Sequence, residues 1–217
     1  MKLLIFRART IAATIAIIAA LWSSAALALE NAYRYAYNAN QGVRTSIETS
    51  NPTLRGSGTW SYMRPFVQRI ISGNVYYAEI GHYKDSGGQK VYWTYRKTSG
   101  SVSSGVISGA NPGVGVSYNY QVQRTGSNTW GFYFNSLSTA QFTANVGWDT
   151  ADDWASGGET PDTNQGMGSA NNNNVAYRNP ANGTWVGASP NSNNITNSVY
   201  KIDNGSNVTS WRVYGNN

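Results

Sequence analysis

The stretch VYYAEIGHYKDSGGQKVYWTYRK, residues 75–97, decides the fold class. Its flanks, 75–84 and 90–97, are rich in the Val, Tyr, Trp, Thr and Ile that suit a pleated, half-buried surface. Between them stands Asp85-Ser86-Gly87-Gly88, whose glycines supply the positive φ angles of a tight reversal, so the whole predicts a β-hairpin. Period-2 alternation places Val75, Tyr77, Glu79, Gly81 and Tyr83 on one face and Tyr76, Ala78, Ile80 and His82 on the other. Both faces are largely apolar or aromatic, so Glu79 sits among rings whichever face meets the core. A carboxylate is rarely buried without a partner, and the plainest partner is an arginine across the sheet. Gly81 leaves a gap beside Glu79 that suits a ligand or another backbone.

Working outward, similar segments recur at 43–49, 59–71, 114–124, 128–135, 141–148, 199–202 and 208–214, separated by breaks rich in Gly, Ser and Asn. Thr125-Gly126-Ser127 marks a second hairpin. No useful stretch of helical period follows residue 28. Many short strands with turn residues between them predict an all-β fold, an antiparallel β-sandwich or jelly roll of the concanavalin-like kind. Residues 149–194 are poor in β-branched side chains and rich in Asn, Gly and Ser, which predicts a long loop with one or two short strands. Asp152-Asp153 reads there as a solvated pair.

The chain begins with Lys2, Arg7 and Arg9, then an apolar run over 11–22 and a close at Ala26-Leu27-Ala28. That is the pattern of a secretory leader cut after Ala28, with an apolar run shorter than the roughly 20 residues that span a bilayer. The expected organisation is a leader, 1–28, and a single domain, 29–217, secreted as a monomer with no membrane attachment once the leader is gone. The whole chain carries a net charge of +6; without the three basic leader residues, 13 Lys and Arg face 10 Asp and Glu, leaving +3. Arginines scattered from Arg34 to Arg212 form no basic stripe, which sets nucleic acid aside as a partner.

The absence of cysteine excludes disulfides, thiol catalysis and Cys-ligated metals. A single histidine, His82, argues against a Ser-His-Asp triad or a His-ligated zinc, and no metal or other cofactor is expected. Glutamates remain as the candidates for chemistry. Beside Glu79 stands Glu159, which follows Trp154-Ala155-Ser156-Gly157-Gly158. Tandem glycines before a lone acid suggest a backbone that must approach something closely, and the plain alternative is an exposed turn acid.

These segments resemble the C-terminal domain of neprosin, a family of secreted glutamic peptidases with a jelly-roll fold. The resemblance is carried by Glu79-Ile80-Gly81-His82 with Tyr92-Trp93-Thr94 after it, and by Gly157-Gly158-Glu159 with Thr163 and Met167-Gly168-Ser169-Ala170 after that. The stretch from Val116-Ser117-Tyr118 through Gly126-Ser127-Asn128-Thr129-Trp130 is similar to the family's intervening segment, so the likeness runs in order from Tyr76 to Asn179. His82 stands where the family has an aromatic, and Ala170-Asn171 stand where it has Gly-His. The resemblance implies that Glu79 and Glu159 are the catalytic pair and that the substrate is a polypeptide.

Two carboxyls facing each other in a partly dry groove titrate as a coupled unit, so one holds its proton to higher pH. The ionised member can take a proton from an attacking water while the protonated member serves the carbonyl oxygen or the leaving amine. Cleavage is then expected at acid pH, near about 3–4 where unperturbed carboxyls half-ionise. Tyr77, Trp93, Tyr95 and Trp148 are the candidate substrate-binding rings. Two other classes stay open: a glycoside hydrolase, whose paired carboxyls lie about 5–5.5 Å apart if retaining or about 6.5–9.5 Å if inverting, and a non-catalytic jelly-roll module binding carbohydrate or peptide through its rings.

Overall fold

The structure, a computed structural model, describes residues 29–204 and 208–215; the predicted leader lies outside the described residues. Fifteen strands follow in chain order: β1 (Glu30–Asn40), β2 (Gly42–Glu48), β3 (Ser61–Ile71), β4 (Asn74–Asp85), β5 (Gly88–Arg96), β6 (Val102–Val106), β7 (Ser117–Gly126), β8 (Thr129–Phe134), β9 (Phe142–Asn145), β10 (Ala151–Thr160), β11 (Gly168–Arg178), β12 (Trp185–Gly187), β13 (Ser192–Ile195), β14 (Tyr200–Asn204) and β15 (Trp211–Gly215). They form two antiparallel sheets. The first runs β13-β1-β10-β3-β4-β5-β6; the second runs β14-β15-β11-β2-β7-β8-β9, with β12 on β11. The fold is the predicted all-β sandwich.

The β4–β5 hairpin forms as predicted. Asp85 pairs with Gly88 across Ser86 and Gly87, and the Gly87 amide donates to Asp85 Oδ1 at 2.7 Å. The second predicted hairpin joins β7 to β8, where Asn128 takes the positive φ. Between the sheets, Met63, Val67, Ala78, Ile80, Val91 and Trp154 of the first pack on Val43, Ile47, Tyr120, Val122, Trp130 and Phe132 of the second. Each fully buried side chain of this size contributes about 1.5–3 kcal/mol relative to exposure, enough for a sandwich to stand without disulfides.

Residues 149–194 are not a long loop. They supply β10 and β11, which sit in the middle of the two sheets, and the short β12 and β13. Strand propensity misleads here because it measures packing context more than backbone preference. Ala, Gly and Ser suit a strand covered closely on both sides, and the asparagine run is provided with partners. Ser156 Oγ donates to Asn172 Oδ1 at 2.7 Å across the sandwich, and Trp211 Nε1 donates to the Ser156 carbonyl. Asp153 is likewise no solvated loop residue but a buried one on β10. Strand β1, absent from the predicted segments although Tyr33, Tyr35 and Tyr37 alternate along it, pairs along β10 from Glu30 opposite Thr160 to Tyr37 opposite Asp153.

Candidate active site

The site lies on the face of the first sheet turned away from the second. There β3 runs between β10 and β4, with Arg64 opposite Gly157 of β10 and Tyr62 opposite Glu159. On the other side Phe66 stands opposite Glu79 of β4, and Glu79 opposite Thr94 of β5. Residues opposite each other in an antiparallel pair share a face, so Arg64, Glu79 and Glu159 all project on this one.

Two glycines let the neighbouring strands close in beside them. A Cβ at Gly81 would lie 2.2 Å from the Met63 carbonyl oxygen and 2.7 Å from Arg64 Cβ; one at Gly157 would lie 2.2 Å from the Ala32 carbonyl oxygen. The gap that Gly81 leaves is thus taken up by β3 and its Arg64. Gly158 faces the core, where a Cβ would meet Met167 and Met63.

The two glutamates are brought together, but not as carboxyls in direct contact. Arg64 stands between them: its Nη2 donates to Glu159 Oε2 at 2.5 Å, and its Nε lies 2.7 Å from Glu79 Oε2. The Nε contact is an ion pair without an aligned hydrogen bond, since that N–H finds no acceptor along its axis. Tyr92 donates its hydroxyl to Glu79 Oε1 at 3.2 Å. All three charged side chains are nearly sealed, with side-chain exposures of 7%, 6% and 9% for Arg64, Glu79 and Glu159. The expectation of a bare proton-sharing pair is therefore corrected. The arginine that a lone buried glutamate calls for and the distant second carboxyl are both present, on one guanidinium.

Burial is the largest influence on Glu79 and raises its pKa to about 7, helped by the negative charge of Glu159 and opposed by Arg64 and the Tyr92 hydroxyl. Arg64 is held as a cation, with a pKa well above normal, because the attraction of Glu159 and Glu79 outweighs the cost of its burial. Burial also pushes the Tyr92 and Tyr62 hydroxyls far above their usual range.

The candidate substrate-binding rings divide. Tyr77 is on the site face and lines a cavity beside Glu79. Trp93, Tyr95 and Trp148 do not line the groove. Trp93 pairs with Ile80 on the core face and stacks on Phe142 at 3.9 Å, Tyr95 stacks on Trp93, and Trp148 packs on Trp130 at 4.4 Å. Register is the reason: a one-residue shift exchanges the faces of a strand, and the two-residue turn at Ser86-Gly87 sets Thr94, not Trp93, opposite Glu79. That turn is also the signal from which Tyr92 and Thr94 follow as site residues. Arg64 has a weaker signal, a cation within the apolar run from Tyr62 to Val67.

The departures noted in the sequence lie away from the three charges. His82 projects into the core, where its Nδ1 is 3.2 Å from the Tyr120 hydroxyl, and burial drops its pKa to about 3. Ala170 is buried in the core and Asn171 donates to Glu48 Oε2 in the second sheet. Among the described residues no cluster of His, Asp and Glu is arranged to hold a metal ion.

No family model and no curated protein sequence matches the chain. Solved structures do match it in fold. Scytalido-glutamic peptidase with a transition state analog inhibitor has a TM-score of 0.61 at 11% identity, over 86% of this chain and 97% of that one. The same peptidase with a peptide-based transition state analog gives 0.56 at 11% identity and equal coverage. SCP-B, a member of the eqolisin family of peptidases in a complex with the tripeptide Ala-Ile-His, gives 0.51 at 12% identity, again over 86% and 97%. The likeness to neprosin rests on the sequence motifs, and what the structural comparison adds is a glutamic peptidase-like fold.

Proposed function

We propose that the protein is an exported glutamic endopeptidase of the neprosin kind, hydrolysing polypeptides at acid pH with Glu79 and Glu159 as its catalytic pair. The observation that carries this reading is the convergence of both carboxyls on Arg64, where two cavities meet. With a pKa of about 7, Glu79 keeps its proton at acid pH and serves as the general acid. Arg64 takes up Oε2 of Glu159 and leaves Oε1 to accept a proton from water.

The water oxygen bonds to the peptide carbonyl carbon as its proton passes to Glu159. Negative charge then grows on the carbonyl oxygen, and the guanidinium, always protonated and little exposed to solvent, stabilises it. Glu79 gives its proton to the amide nitrogen as the C–N bond breaks, and exchange with solvent restores the two carboxyls.

The test is digestion of an unfolded protein over a full pH series. Cleavage is expected on the acid side and should fade as pH rises through about 7, where Glu79 loses its proton. Glu79→Gln and Glu159→Gln should each lower turnover at least about 100-fold with an unchanged circular dichroism spectrum. Wild-type turnover in either variant would overturn the assignment. No cleavage at any pH together with glycan binding would favour the binding-module reading.

A further inference from the structure

Two cavities open on opposite sides of the charged centre. One, of about 240 Å³, is walled by Trp60, Tyr62, Tyr83, Tyr92 and Val106; the other, of about 230 Å³, by Asn31, Gln68, Phe66, Tyr77 and Arg96. Leu29, Arg64, Glu79 and Glu159 belong to both, so a chain whose reacting bond lies over those charges has a cavity on each side. The walls differ in chemistry. In the first, Tyr62 touches Trp60, Tyr83 and Tyr92 with ring centroids 4.5, 5.3 and 4.7 Å apart, making a cup of mutually supporting aromatic faces.

In the second, Gln68 stands opposite Tyr77 and Tyr77 opposite Arg96, which lines up an amide, a phenol and a guanidinium across three strands. The charge of Arg64 is met by two carboxylates, whereas among the described residues Arg96 has no ion-pair partner. Its Nη1 donates to the Val75 carbonyl at 3.2 Å, and its guanidinium carbon lies 5.8 Å from the Tyr76 ring centroid.

We infer that the cleft selects substrates on both sides of the reacting bond, the aromatic cup taking a bulky apolar side chain and Arg96 with Gln68 taking a side-chain carboxylate. This deepens the peptidase reading and rests on it for the position of the bond. Aromatic side chains bury large area with favourable edge-to-face contacts, which the cup offers on three sides. A guanidinium that lines the cavity without an ion-pair partner forms the shorter, stronger hydrogen bonds of a charged pair with a carboxylate. The preference strengthens as pH rises above about 4, where a glutamate of the substrate ionises, so the enzyme works on apolar–acidic junctions on the less acid side of its range.

The test uses peptides with Phe and Glu on opposite sides of one central bond, in both orders, and matched peptides with Gln or Lys for Glu and Ala for Phe. Wild-type kcat/KM is measured at pH 5.5, and equilibrium binding to the Glu79→Gln variant is followed by tryptophan fluorescence. The Phe–Glu peptide in one of its orders should exceed its Gln counterpart at least about tenfold, the return on one charge-assisted hydrogen bond.

Arg96→Glu should invert the ratio in favour of Lys, a gain that a misfolded protein cannot give, and Tyr83→Ala should flatten the preference for Phe over Ala. Equal handling of Glu, Gln and Lys peptides, or an Arg96→Glu protein that still prefers Glu, overturns the inference while cleavage itself leaves the peptidase reading standing. If no peptide is cut at any pH the peptidase reading falls, and the binding ratios still decide whether the cleft discriminates in this way.

Discussion

Gly81 and Arg64 occupy neighbouring positions on β4 and β3, so close that a Cβ on Gly81 would stand 2.7 Å from the Cβ of Arg64. The glycine is what lets the arginine rise from the sheet and reach both carboxyls. Gly81→Ala should therefore push β3 and β4 apart and destabilise the fold by about 1–3 kcal/mol, the usual cost of overpacking. Urea unfolding at neutral pH measures this, and a midpoint within error of wild type would mean that Arg64 is placed by something else.

Arg64 itself neutralises two nearly sealed carboxyls. Removing one partner of a buried ion pair costs about 3–5 kcal/mol because it strands the other. Arg64→Met should show that loss above pH 7, where Glu79 is ionised, and regain part of it as pH falls below 7, since protonation of Glu79 removes a stranded charge. Thermal melts on both sides of pH 7 test the claim; an equal deficit on both would point to lost packing rather than lost charge.

His82 and two acids pull stability in opposite directions with pH. The folded pKa of His82, about 3 against an ordinary 6.5, means that its contribution is present above 6.5 and is lost as pH falls toward 3. Glu79 and Asp153 are both raised to about 7 by burial, from 4.5 and 3.8, so theirs is present at low pH and is lost as pH rises through 7. The two trends offset each other between about 4 and 6.5. His82→Phe keeps a ring against Tyr120 and removes the proton acceptor, so this variant should gain stability steadily as pH falls from 7 to 4. Calorimetry that shows the same profile as wild type would exclude His82 as the opposing group.

Trp93 packs half-buried against the core and not in the cleft, and its ring lies flat on Phe142. Trp93→Ala should lower stability by less than the about 3–5 kcal/mol of a fully buried ring, while peptide affinity per folded molecule stays near that of wild type. A large affinity loss without a fall in melting temperature would return Trp93 to the groove.

Much of the architecture was legible in residue order because strand alternation and turn chemistry are local. The parity that puts Glu79, Gly81 and Tyr83 together, and the Gly-rich turn after Lys84, need only neighbours along the chain. The Asn-rich second half resisted the same reading because β10 and β11 owe their extended form to being covered, with Gly158 against Met167 and Asn172 bound by Ser156.

What the chain order determined by itself was an antiparallel β protein without thiols, holding few acids, two of them set beside glycines. Tertiary structure decided their meaning. The chain returns after some ninety residues to insert β10 between β1 and β3, and that insertion, which depends on long-range packing and not on any local period, brings Glu159 to the same guanidinium as Glu79.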